Sequence, residues 1–466
     1  MGIFKAYDIR GLVPKELDEA LAERIGYAFA RVLGGKRYVV GRDMRVSSPS
    51  LAAAAIRGIL KAGANVVDIG LTSTPMNYFA VGHLGVDGGL AVTASHNPKE
   101  YNGFKASRDQ AKPVSYDTGI GEIERLALEG PHEPAPEPGH SPAPEPGHSP
   151  APEPGHSMEL SILDDYLEHV LSFASNLRPL RVAVDAGNGA AGIVVPRLFE
   201  RLSNIELVPL CMEPDGTFPN HEANPLVEEN LADLRAKVVA EGCELGVAYD
   251  GDADRVAFVD ETGARVPCDL ATALLAREAL ERHRGKAVVY DLRSSWVVAE
   301  EIRAAGGVPV RERVGHSFIK AALREHDGIL GGELSGHYYF AENFFADSGD
   351  IALVKILNLM SREGRKLSAL VKPLRRYRSS GEINFVVEDK DGVIERLERL
   401  FRDGQIDRAD GITVQYDDWW FNVRKSNTEP LLRLNLEAKT LQRFQAGKAR
   451  LLEILGTPVG EGGGRH

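Results

Sequence analysis

Asp250, Asp252 and Asp254 recur at every second position of DGDADR, with Arg255 directly after them. If that stretch is extended, alternate side chains share a face, and three carboxylates there form a ligand set for one divalent cation. Mg2+ is the expected occupant, because it keeps open positions for phosphate oxygens. Without a cation the three like charges repel. LGVAYD before the motif and RVAFVD after it read as short strands, with Glu261, Thr262 and Gly263 placed for a turn. The spacing also fits the start of a calcium-binding EF-hand loop with Glu261 as its bidentate ligand, but Arg255 stands where that loop needs glycine. A solvated acidic turn is the bland alternative.

Three further segments carry chemistry. GGLAVT runs into TASHNPKEYNGFK, which sets Ser95 between a strand end and the turn-forming Asn97 and Pro98. A serine at the carboxyl end of a parallel strand is well placed to react. The GxSxG elbow of hydrolases is missing, and His96, directly adjacent, is expected to point away from Ser95. In GGELSGH, residues 331–337, Glu333 and Ser335 can hydrogen-bond vicinal hydroxyls while glycines let a ligand approach the backbone. In RKSNTEP, residues 424–430, Arg424, Ser426, Asn427 and Thr428 offer a guanidinium fork, hydroxyls, an amide and backbone donors, which together make a phosphate cradle. A glycine-rich turn and a serine capping a turn are the structural alternatives for the first two. GNGAAG, residues 187–192, is a formal GxGxxG with Glu206 near the place of a ribose-binding acid, so an NAD-binding dehydrogenase is a competing hypothesis. It explains none of the other segments.

The elements that must position these residues follow from pattern. At 466 residues the chain exceeds one core and is expected to form three or four domains. Its 43% hydrophobic and 26% charged content is that of an ordinary globular protein, and a formal net charge of −12 without a basic run argues against nucleic acid. No apolar run is long enough to span a bilayer, and the start has no signal-peptide core, so the expected location is cytoplasmic. Cys211, Cys243 and Cys268 are too far apart for a zinc ribbon or a CxxC motif and read as structural thiols. Strands alternate with helices, and a similar strand ending recurs as RYVVGRD from Arg37, RVAVDAG from Arg181 and KAVVYDLR from Lys286. Three related α/β units with mainly parallel sheets follow. Leu17, Leu21, Ile25, Ala28 and Val32 mark a first helix that ends at Gly34 and Gly35, and Ser48 followed by Pro49 reads as the cap of a second. The tail, with INFVVE, LLRLNLEA and a helix near 441–455, reads as a smaller α+β domain. From Ala135 to Ser157 the chain repeats APEPGHSP, a proline-rich spacer whose histidines, His140, His148 and His156, lie about 25 Å apart when extended. The expected divisions are 1–130, a spacer at 131–157, then 158–265, 266–376 and 377–466.

TASHNP, DGDADR, GGELSGH and RKSNTEP, in that order, resemble the motifs of the α-D-phosphohexomutases, in the phosphomannomutase/phosphoglucomutase branch. AYDIRG, GRDMRVSSP and VGHSFIK strengthen the resemblance. It implies four domains around a central cleft and phosphate transfer between C1 and C6 of mannose or glucose through a phosphorylated Ser95 and a hexose 1,6-bisphosphate. It also implies Mg2+ held by Asp250, Asp252, Asp254 and a Ser95 phosphate oxygen, with Arg10 and Arg255 steadying that phosphate and His96 beside it in the catalytic set. Glu333, Ser335 and His337 would grip the sugar, while Arg424, Ser426, Asn427 and Thr428 hold the phosphate that is not reacting. His316 and Lys105 are its candidate acid and base. Arg293 stands where some relatives carry lysine, and an arginine serves an anion better than it shuttles a proton. Leu334 matches the mannose/glucose branch, whereas glucosamine-specific relatives read GGEQSGH. Phosphoglucosamine mutase and a non-catalytic sugar-phosphate binding protein are the alternatives, and monomer and homodimer both stay open.

Overall fold

Three mixed sheets and one antiparallel sheet make up the computed structural model, which describes residues 2–129, 154–426 and 431–459. Asn427, Thr428 and most of the APEPGHSP repeat, including His140 and His148, lie outside the described residues.

The three recurrent strand endings occupy equivalent places. Arg37–Arg42, Leu180–Asp185 and Ala287–Asp291 each lie between two parallel neighbours, and each sheet also contains antiparallel strands. A central strand covered on both faces needs a continuous apolar run, which is why VAV and AVVY mark these positions.

The first helix, Glu19–Leu33, is capped by Asp18, which accepts the Leu21 amide, and ends at Gly34, whose φ of 71° suits a residue without a Cβ. The second, Ser48–Lys61, differs from expectation: Ser47 takes the N-cap position, its side chain bonding no helix amide. Ser48 is already inside the helix because its buried hydroxyl bonds Asp43 at 2.5 Å and accepts from Asn102 at 2.9 Å. The spacer also ends earlier than expected. Ser157–Glu159 is the edge strand of the first sheet, parallel to Asn65–Leu71, with Val66 opposite Ser157. An edge strand pairs on one side only, so three exposed residues suffice and no apolar pattern announces them.

One apolar core runs through the first three units, joining Val39 and Ile69 to Val182 and Val247 and to Leu274 and Val288. The last unit has its own core around Trp419, Phe421, Leu432, Leu434 and Leu436. Its order, Arg378–Phe385, Leu432–Ala438, Trp419–Lys425, Ile412–Gln415, Gln405–Asp407, is antiparallel throughout, and Leu441–Leu455 is the closing helix.

Candidate active site

Ser95 follows the strand Gly88–Val92 and adopts φ of 51°, a left-handed conformation that is unusual for a residue with a Cβ. The loop is held from beneath by Arg45, which is 1% exposed. Its guanidinium donates to the carbonyls of Ser95 and Asn97, at 2.8 and 2.6 Å, and to those of Pro98 and Tyr101, at 2.8 and 2.9 Å. Asp43 balances its charge at 3.2 Å. The turn brings His96 Nδ1 to 3.3 Å from Ser95 Oγ, contrary to the expectation that the two side chains diverge. Divergence holds for extended backbone, and positive φ at Ser95 removes it. Burial, with Arg255, Arg10 and Lys105 close by, pushes His96 well below the ordinary imidazole range, so its ring is neutral.

The aspartates are also grouped differently from expectation. Asp250 to Asp254 is the tip between the antiparallel strands Leu245–Tyr249 and Val256–Asp260, closed by the Ala253 amide on the Asp250 carbonyl with Ala253 at φ 64°. The three carboxylates converge because the chain turns, not because it alternates. Their oxygens lie within 4.8 Å of one another, and all three residues are buried. Ser95 Oγ donates to Asp250 Oδ2 at 2.5 Å, across 155 positions of sequence. That approach depends on Gly251, where a Cβ would stand 2.4 Å from the Ser95 carbonyl oxygen.

Lys105 Nζ reaches Asp252 at 2.6 Å and Asp254 at 2.5 Å, and Thr74 donates to Asp252 at 2.6 Å. Burial and the two neighbouring aspartates push Asp250 well above the usual carboxylate range. Burial acts the same way on Asp254, but Lys105 and His337 outweigh it and hold that carboxyl well below the range. Asp252 Oδ1 and Asp254 Oδ1 are buried and accept no hydrogen bond. Unsatisfied buried carboxylate oxygens beside a carboxyl that resists ionisation fit a divalent cation, and an all-oxygen set suits a hard one.

Arg10, on the strand Ile9–Leu12, bonds Asp8 at 2.7 Å and Asn97 of the serine loop. Arg255 donates its amide to Asp250 and directs Nε toward His337 Nε2 at 3.4 Å. His337 in turn lies 3.3 Å from Asp254 and 2.8 Å from Ser335 Oγ, which ties the aspartate hairpin to the GGELSGH loop. Glu333 is 2% exposed and already engaged, accepting from the Gly315 amide at 3.1 Å and from the Tyr339 hydroxyl. His316 opens the helix His316–Glu325 immediately after Gly315, and its Nδ1 is buried without a partner. Burial, with Lys320 and His337 near, pushes its pKa well below the ordinary value.

Arg424 is 2% exposed and belongs to another cluster. It meets Glu382 Oε2 at 3.2 Å, as does Arg293 from the third unit, while Arg433 reaches Oε1 at 3.1 Å. Arg293 is anchored by a two-pronged contact to Asp291, at 3.1 and 2.8 Å. Glu382 and Asp291 together thus face three guanidinium groups. Ser426 follows on the same strand end. Arg293 therefore groups with Arg424 and Arg433, not with Ser95.

Motif reading missed Arg45, Thr74, Glu382 and Arg433, and it also missed Tyr7, whose ring meets His316 edge-on at 5.4 Å. GRDMRVSSP contains Arg45, but a residue that grips carbonyls has no sequence partner to reveal it. Glu206, the acid of the dehydrogenase hypothesis, pairs with Arg181 at 2.9 Å on the surface, and the GNGAAG turn packs its Ala190 amide on the Gly251 carbonyl at 2.9 Å.

Comparison with known proteins matches all four units. Residues 1–131, 164–263 and 268–377 match the phosphoglucomutase/phosphomannomutase alpha/beta/alpha domains I, II and III, and residues 382–454 match the C-terminal domain of the same family. A phosphomannomutase of Salmonella montevideo is 39% identical over 97% of this chain and 98% of its own length. "Phosphohexose mutases" of Xanthomonas campestris pv. campestris is 44% identical over 97% and 96%. A solved phosphoglucomutase/phosphomannomutase family protein from Burkholderia thailandensis superposes with a TM-score of 0.86 at 36% identity, covering 97% of each chain. Among the described residues no helix is long and apolar enough to cross a membrane.

Proposed function

The chain belongs to the phosphoglucomutase/phosphomannomutase family and is a phosphohexomutase, and from that premise we propose how its residues move phosphate between C1 and C6 of mannose or glucose phosphates. The observation that carries this reading is the contact between Ser95 Oγ and the aspartate hairpin, 2.5 Å across two units of the fold.

Phosphorylated at Oγ, Ser95 donates its phosphoryl group to the free hydroxyl of a bound hexose 1- or 6-phosphate. The P–Oγ bond breaks as a P–O bond to the sugar forms, and the hydroxyl proton passes to a base. The resulting hexose 1,6-bisphosphate turns over and returns its other phosphate to Ser95. Asp250, Asp252 and Asp254, with a phosphoserine oxygen, would hold Mg2+. When bound, the ion neutralises charge on the transferring group. Arg10 and Arg255 steady the same group, with neutral His96 beside it. Lys105 balances Asp252 and Asp254, which commits its ammonium as a charge partner. His316, whose buried Nδ1 has no hydrogen-bond partner, is the candidate to take the hydroxyl proton.

At the far end Arg424, with Arg293 and Arg433 close by and Ser426, Asn427 and Thr428 after it, holds the phosphate that does not react. A remote grip accepts either orientation of the sugar, so only the reacting hydroxyl changes. Ser335 and His337 face the hydroxyls, and Glu333 orients the loop that carries them.

Intact-mass measurement tests the premise of the mechanism. The active protein should carry about one phosphate and Ser95→Ala none, with mutase activity lost. A variant that keeps the phosphate or the activity would displace Ser95 as the carrier. Kinetics with mannose 1-phosphate, glucose 1-phosphate and glucosamine 1-phosphate separate the branches, and a preference for the amino sugar would favour phosphoglucosamine mutase.

A further inference from the structure

Asp185 ends the strand Leu180–Asp185, Cys211 follows its parallel neighbour Ile205–Leu210, and His221 lies on the loop after Cys211. None of the three takes part in the proposed phosphate transfer. One donor atom from each lies within 4.8 Å of the others. His221 Nε2 is 3.0 Å from Asp185 Oδ2 and 4.0 Å from Cys211 Sγ. Its Nδ1 is 2.9 Å from the Glu222 carbonyl oxygen. A carbonyl only accepts, so Nδ1 carries a proton, and a neutral ring then turns its Nε2 lone pair toward the carboxylate. The short Nε2 to Oδ2 approach then calls for either a proton on Nε2 or a metal cation between the two atoms.

We propose that Asp185, Cys211 and His221 bind a divalent transition metal of zinc type, at a site separate from the three aspartates. A mixed sulfur, nitrogen and oxygen donor set suits zinc and is foreign to magnesium. Tetrahedral bonds of about 2.3 Å to sulfur and about 2.0 Å to nitrogen and oxygen set N and O about 3.3 Å apart and N and S about 3.5 Å apart. The observed 3.0 and 4.0 Å lie within about 0.5 Å of these. The outer contacts are also those of a metal site: Nδ1 donates to a carbonyl, and Asp185 Oδ1 accepts the Gly187 amide at 2.8 Å. Binding releases the Cys211 thiol proton and the proton on His221 Nε2 to water, and a water completes the fourth position.

The site also bears on the mutase centre by position. It clamps Asp185 and the 211–221 loop around the turn at Gly187 and Asn188, where the Asn188 amide donates to the Cys211 carbonyl at 2.8 Å. The next residues, Gly189 and Ala190, rest on Gly251 of the aspartate hairpin. The competing occupant is a proton, since the Asp185 hydrogen bond raises His221 to about 9 and makes an ion pair when no metal is present.

The test uses the full chain with His140, His148 and His156 replaced by alanine, so that the repeat cannot compete, and with Mg2+ in saturating excess. Titration with Co2+ should show one equivalent with a thiolate-to-cobalt charge-transfer band, displaced stoichiometrically by Zn2+. Cys211→Ser should lose the band, His221→Ala should weaken binding at least tenfold, and Asp252→Asn should retain both. The far-UV circular dichroism spectrum and thermal midpoint of the Cys211→Ser protein serve as the folding control. A proton-only pair, shown by no band in the parent protein, overturns the proposal. So does a band that survives in Cys211→Ser, which would mark Cys243 or Cys268 as the thiolate.

Discussion

Arg45 shows how one side chain sets a catalytic geometry without touching a reacting atom. Its planar fork spans four carbonyls of the serine loop, a task that needs several donors at fixed angles. Lysine offers the charge as a point and cannot reach all four. Arg45→Lys should therefore lower kcat at least about 100-fold while Mg2+ binding by the aspartates persists, because an error of about 1 Å in the nucleophile is worth that much. Unchanged steady-state kinetics in that variant would remove Arg45 from the account. At this scale the sequence was legible where residue type is itself the chemistry: Ser95 and the three aspartates stood out, and the structure brings them into contact. Arg45 did not stand out because backbone carbonyls, its targets, are present at every position. Thr74 is hidden for a similar reason, since one hydroxyl among many gives no spacing to read.

Elements decide how those residues meet. Alternation along an extended chain was a sound rule applied to the wrong local structure, because Asp250 to Asp254 bends at a hairpin tip. The flanking strands and the turn at Gly263, whose φ is 79°, follow the residue pattern. The tip itself depends on Gly251 passing the Ser95 carbonyl. Gly251→Ala would place a Cβ 2.4 Å from that oxygen, with backbone on both sides of the contact. The expected outcome is a folded protein with mutase activity reduced at least about 100-fold and weakened Mg2+ dependence, measured by kinetics alongside a crystal structure of the variant. Activity near that of the parent would mean the two loops can part without cost. Other elements were misread for stated reasons: Ser48 has a buried partner that outcompetes capping, and Ser157–Glu159 pairs along an edge that demands no pattern. The bulge between Ser379 and Glu382, with Gly381 at φ 63°, was also invisible, yet it re-aims Glu382 toward the arginines.

On the scale of the whole molecule, the first three units share one apolar core, whereas the fourth docks largely through polar contacts. Glu437 is central to them: it is 1% exposed and accepts from the Trp296 amide of the third unit and from Trp420 Nε1, each at 3.0 Å. Burial raises its pKa from 4.5 to about 7. Between those values the folded protein holds a proton that the unfolded chain has released, so stability falls as pH rises through the window and levels off above about 7. Thermal unfolding of the C-terminal unit should show a decline of about 2–3 kcal/mol across it, and Glu437→Gln should flatten the profile. A parent profile that is flat or rising there would contradict the assignment. A polar junction of this kind resists relative motion of the fourth unit less than a shared apolar core would, which suits the proposed remote phosphate grip. The alternation in LLRLNLEA marked one face of its strand as core, and Leu432, Leu434 and Leu436 are there. The opposite face proved buried too, with Asn435 3% exposed and Arg433 on Glu382. Residue type and spacing, which are local properties, thus determined the strand and helix order, the three repeated units and which polar groups the candidate site gathers. Tertiary structure alone decided which groups face one another across units: Ser95 on Asp250, Asp254 on His337 and Arg293 on Glu382. Such contacts join residues tens to hundreds of positions apart, and their energies depend on distance and burial, which no linear pattern encodes.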